Sequence, residues 1–80
     1  MKLTIGRIVH FYTEQPEKQF NGHGKGPYPA IVTQTWGSDE MANLKVFPSF
    51  GPVRDEGSIS IKEKAINPGQ DYWEWPPKVE

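Results

Sequence analysis

Apolar and polar positions alternate along this chain in short runs, cut so often by Gly and Pro that no long helix fits between them. The first run, Arg7-Ile8-Val9-His10-Phe11-Tyr12, follows Gly6 and has the β-branched and aromatic content of a strand. The second covers residues 28–36, with Pro29 at the strand entrance because proline cannot donate to a ladder. A third, short one occupies residues 44–47 and is closed by Pro48. The fourth has the cleanest period of two: Ile59, Ile61 and Ala65 share one face, and Ser58, Ser60, Lys62 and Lys64 the other. Glu63 interrupts the apolar side, so the buried part of that strand is expected to end near Ile61. The fifth, residues 71–75, stops at Pro76-Pro77.

Two stretches carry helix signals, each for one turn at most. Residues 14–20 hold good helix formers between Pro16 and Asn21-Gly22, and Ser38-Asp39-Glu40-Met41 offers a serine cap with acids behind it. The connection over residues 13–27 exceeds a hairpin loop and is expected to be mobile or functional. The last three residues are expected to fray. Five short strands separated by turn signals predict an all-β fold, a small five-stranded antiparallel SH3-like barrel formed by residues 1–80 as one domain. Closure removes the unpaired edges such short strands would expose. An OB-type barrel fits less well: it places a helix between its third and fourth strands, where this chain has Pro48, Gly51, Pro52 and Gly57.

Composition narrows the function classes. With 80 residues and 35% hydrophobic content, only a small core is available. Lys plus Arg number 9 against 10 for Asp plus Glu, so the surface lacks the positive excess of a protein that coats polymeric nucleic acid. The absence of cysteine rules out disulfides and thiolate metal sites. No apolar run reaches ten residues, which predicts neither a membrane span nor a signal-peptide core. An intracellular protein is the expectation.

Candidate chemistry is sparse. His10 and His23 are the only histidines, without ligand spacing, so neither a metal nor another cofactor is expected. No Gly-x-Ser-x-Gly turn and no helix-borne acid pair is present, and an enzyme is not expected. Residues 21–27 alternate glycine with polar side chains and include Lys25. A phosphate loop would open a helix, whereas this one leads into Pro27 and a strand, and it reads as a mobile surface loop.

The aromatic residues are more informative. There are 3 Trp, 3 Tyr and 4 Phe, more than so small a barrel can bury. Some must form a surface patch suited to stacking on a base, a proline or another ring, or to covering a subunit interface, and a homo-oligomer is expected. Trp73 and Trp75 stand two apart and share a strand face; one is expected to plug the barrel and the other to line the patch, with Trp75 the more structural. Arg7 and Arg54 are the only arginines, enough for a ligand with two or three phosphates but not for a polyanion.

The order Gly6-Arg7-Ile8-Val9-His10-Phe11-Tyr12, Pro29-Ala30-Ile31-Val32, Asn43-Leu44-x-Val46-Phe47, and a Pro-Gly turn leading to Trp73-x-Trp75-Pro76 resembles a family of small proteins of tailed bacteriophages and prophages. Residues 6–76 carry the resemblance. The departures are the first loop, swollen by residues 21–27, and Gln70-Asp71-Tyr72 between the Pro-Gly and the first Trp. The resemblance implies a phage protein acting in the host cytoplasm, either a virion accessory or an inhibitor of host defence. Some such inhibitors are sponges that hold a cyclic-nucleotide alarm signal without cleaving it, as in evasion of CBASS. For a nucleotide ligand the expected site is His10, Tyr12, Trp36, Arg54 and Trp73: rings for base stacking, Arg54 for a phosphate, His10 as a donor. The alternative is a protein–protein interaction module that uses the aromatic patch to anchor a host or phage protein.

Overall fold

The computed structural model describes residues 2–19 and 24–77. Five strands, β1 (Ile8–Tyr12), β2 (Tyr28–Thr35), β3 (Met41–Val46), β4 (Arg54–Ile61) and β5 (Tyr72–Glu74), close into a barrel in the order β1-β2-β3-β4-β5. The fold is the small all-β barrel expected, without an α-helix among the described residues. One pairing departs from an antiparallel scheme. β4 and β5 run parallel, Ser60 beside Tyr72 and Ile61 beside Trp73, because a 3₁₀ turn at Lys62–Lys64 and the turn after it return the chain to the level of Ser60.

Alternation along each strand fills the barrel. Val9 and Phe11 of β1, Tyr28, Ala30 and Val32 of β2, Ala42, Leu44 and Val46 of β3, Ile59 of β4 and Trp73 of β5 are buried together. Leu3, from the segment before β1, joins them, its amide donating to the Asp39 carboxylate at 2.8 Å. That contact decides the fate of the expected helical turn at residues 38–41. Asp39 caps the N-terminal arm, the Ser38 hydroxyl accepts from the Glu40 amide at 3.4 Å, and β3 begins at Met41, three residues earlier than its apolar core indicates.

β4 likewise starts well before its alternating part. Between Leu44↔Glu56 and Ala42↔Ile59 the register shifts by one residue, a bulge at Gly57-Ser58. Ser58 sits at φ 54 and its amide donates to the Asn43 side chain at 2.8 Å. In the first connection the expected single turn forms as a 3₁₀ turn at Pro16–Lys18. The expected mobility of residues 21–27 falls partly, and the fraying of 78–80 wholly, outside the described residues. At the end of that connection Gly26 is required: its φ is 122, and a Cβ there would lie 2.7 Å from the Phe11 carbonyl oxygen.

Candidate functional site

β1 lies between β2 and β5, and its outward residues Ile8, His10 and Tyr12 form the middle of a ladder across three strands. Ile8 pairs with Ile31, His10 with Pro29 and Glu74, and Tyr12 with Tyr72. The two tyrosine rings stack with centroids 4.9 Å apart and planes 17° from parallel. Beside them opens a cleft of about 250 Å³ whose walls include Glu14, Lys25, Gly26 and Gln70. Partial burial first, then the Glu74 carboxylate and Tyr72, hold the Tyr12 phenol above the usual tyrosine pKa. It is therefore a neutral hydrogen-bond donor at physiological pH. Lys25 lies 3.8 Å from Glu14 on the rim, and the Lys62 ammonium stands 6.0 Å from the Tyr72 ring centroid.

The fold brings two of the five sequence-derived site residues together, His10 and Tyr12. Trp36 is 52% exposed but follows the far end of β2, at the β2–β3 turn. Arg54 begins β4 and is engaged there: its Nε lies 3.1 Å from Glu56 Oε2, and Nη1 donates to the Glu17 carbonyl at 3.2 Å. Trp73 corrects the sequence reading. Its side chain is fully buried, its indole N–H donates to the Glu40 carbonyl at 3.2 Å, and it has no face for a ligand. The half-buried ring is Trp75, edge-on to Trp73 at 5.2 Å, so the expected roles of the two tryptophans are exchanged. The reason is register. Trp73 pairs with Phe11, an inward position of β1, whereas Trp75 lies beyond the strand where the wall has ended.

Sequence reasoning also missed Tyr72, the second ring of the cleft, because the alternation around the tryptophans drew attention to the opposite face. It missed the clasp on the first connection as well. The Lys18 ammonium lies 2.9 Å from Glu56 Oε1 and 2.7 Å from Asp71 Oδ2, both carboxylates nearly buried. Gln15 Nε2 donates to the other Asp71 oxygen at 3.3 Å. Burial alone would push the Lys18 pKa down; its hydrogen bonds to Asp71 and Glu56, with the charges of both, outweigh burial and hold it above the usual lysine value. Residues 13–18 are thus fixed to the barrel, and Thr13, which closes that end of the core, is buried. Since Asp71 precedes Tyr72 and Glu14 precedes Gln15, the clasp also sets two walls of the cleft.

A second concavity of about 400 Å³ lies at the opposite end of the ladder, lined by Gly6, Arg7, Ile8, Trp75 and Pro76. Among the described residues no three His, Asp or Glu side chains are grouped as metal ligands, and no helix is long and apolar enough to cross a membrane. No family model, curated protein or solved structure matches the chain.

Proposed function

We propose that this protein is a non-catalytic binding module of phage type that counters host antiviral defence by sequestering a small cyclic-nucleotide signal in the host cytoplasm. The observation that carries the reading is the outward Tyr12–Tyr72 stack beside a cleft of about 250 Å³. Aromatic faces on a protein surface offer a stacking platform worth about 1–3 kcal/mol per base. Lys25 and Lys62 stand at its margins as counter-charges for phosphate. The cleft is smaller than the roughly 300–1,000 Å³ of ordinary small-molecule pockets. A ligand with two bases therefore overhangs one copy of the chain, and a homo-oligomer that closes over it follows from the proposal.

A thermal-shift screen with cyclic di- and trinucleotides tests this. Ligand at about 100 times its dissociation constant adds about 2.7 kcal/mol, a rise of roughly 10 °C or more in a domain of this size. No shift at millimolar nucleotide ends the nucleotide reading. The second reading, a protein–protein module acting as virion accessory or direct inhibitor of a host protein, draws on the exposed apolar side chains Ile5, Phe50 and Ile66, which are 69%, 76% and 83% exposed. Exposed apolar side chains anchor protein partners where they gather into a patch. Light scattering then distinguishes a closing oligomer from a monomer that awaits a different chain.

A further inference from the structure

The groove at the other end of the β1–β5 ladder has a different chemical character from the tyrosine cleft. It is bounded by Arg7, Ile8, Trp75 and Pro76, with no carboxylate in its lining. The two arginines of the chain differ sharply in their engagement. Arg54 is held by Glu56 and the Glu17 carbonyl, whereas the exposed Arg7 guanidinium makes no ion pair or hydrogen bond among the described residues. The backbone of Arg7 is fixed nonetheless, its carbonyl accepting from the Val32 amide at 2.9 Å, with the Gly6 amide donating to the Val32 carbonyl at 2.8 Å. Trp75 is anchored on one side by its edge-on contact with the buried Trp73. Its indole N–H donates to no protein group among the described residues and is not sealed from solvent.

The groove therefore combines a cation on a fixed stretch of backbone, without a protein acceptor among the described residues, an open N–H donor and an aromatic ring on an apolar floor. Both polar side chains in its lining, Arg7 and Trp75, are donors, the pattern an anion joined to a flat ring satisfies. In the tyrosine cleft, by contrast, Lys25 is already faced by Glu14. We infer that the Arg7–Trp75 groove is a second binding site, separate from the tyrosine cleft, for a nucleoside phosphate, with the phosphate on the Arg7 guanidinium and the base against Trp75. This shares its ligand class with the proposed function and rests on it only there. The two sites lie about 13 Å apart along β1 at 3.3 Å per residue, so either can fail alone.

The test is a titration of the full chain, followed by the indole N–H and backbone amide resonances, with AMP, adenosine and inorganic phosphate in parallel. The expected result is a saturable shift of the Trp75 indole and Ile8 amide with AMP. Adenosine and phosphate should each bind about tenfold or more weakly, and Arg7→Gln should weaken AMP by a similar factor without altering the spectrum of the free protein. Because Arg7 is exposed, that variant retains the fold. Phosphate binding as tightly as AMP would mean an adventitious anion only and overturn the assignment. So would adenosine binding as tightly, Arg7→Gln binding like the native chain, or no response at millimolar AMP. Shifts confined to Tyr12 and Tyr72 overturn this site while supporting the tyrosine cleft; shifts confined to Trp75 and Ile8 do the reverse.

Discussion

Replacing Lys18 with Met removes one positive charge and leaves two carboxylates that were sharing it. Glu56 and Asp71 are only 6% and 7% exposed at the side chain, and one ammonium lies 2.9 and 2.7 Å from them. Removing one partner from a buried ion pair costs about 3–5 kcal/mol, because the remaining charge is stranded in a poorly hydrated site. Here the lower end applies: Lys18 retains 21% exposure, and Arg54 stays 3.1 Å from Glu56. A loss of about 3 kcal/mol is a large share of the roughly 4–12 kcal/mol available to 80 residues. It corresponds to a fall of about 12–24 °C in melting temperature.

The pH dependence separates this mechanism from simple loss of packing. The folded-state pKa of Lys18 is raised, so its contribution is complete below the unfolded lysine value and is lost as pH rises through the folded value. In Lys18→Met that alkaline loss disappears. The deficit relative to the native chain therefore shrinks as pH rises through the folded lysine value. Adding Asp71→Asn to Lys18→Met should recover part of the stability by deleting one of the two like charges. Denaturant unfolding of the three proteins across pH is the assay. A Lys18→Met variant within about 0.5 kcal/mol of the native chain at neutral pH, or a deficit indifferent to alkali, would refute the reasoning.

Trp73→Ala should cost about 3–5 kcal/mol, the usual loss for a fully buried indole, and Trp75→Ala distinctly less, since its ring is half-buried; equal losses in denaturant melts would contradict the exchanged roles. Tyr72→Ala should leave the cooperative melt intact but weaken cyclic-nucleotide binding by about 1–3 kcal/mol in calorimetry, the size of one stacking contact. Glu74→Gln removes a negative neighbour of Tyr12 and should bring the phenol pKa down towards its ordinary value in an ultraviolet tyrosinate titration. Because a raised folded pKa makes the native chain lose stability as pH climbs past the unfolded tyrosine value, the variant should lose less there. An unchanged titration would show that burial and Tyr72 set the shift without Glu74.

The barrel was legible because inward positions repeat every second residue and Gly or Pro marks most turns. Where the repeat is interrupted, the sequence misleads for a specific reason. Glu56 and Ile59 both face inward, yet they are three apart, and only a bulge with Ser58 at positive φ reconciles them. Residues 54–57 consequently read as loop although they pair with β3. Met41 to Asn43 hide for a different reason: alanine and asparagine are weak strand formers, and their pairing is imposed by neighbours on both sides. Ser38 and the acids after it read as the start of a helical turn, but no helix forms there, and Asp39 instead caps the Leu3 amide, 36 residues away in sequence.

The site was only half legible because alternation says which residues leave the core, not which of them meet. His10 and Tyr12 share a strand and needed no further information to be placed together. Trp36 and Arg54 belong to opposite ends of other strands, and nothing in their local sequence encodes that separation. Trp73 shows the strongest coupling between fold and function. Its residue type suits a ligand surface, but β5 is only three residues long and has one central inward position, which must be filled where the closing strand seals the barrel against Phe11. The largest side chain is drawn into that gap. Its sequence neighbours Tyr72 and Glu74 are thereby turned outward beside Tyr12 and His10. Burying Trp73 thus assembles the outer ladder, and a shift of one residue in β5 would exchange the core plug for the ligand-facing ring.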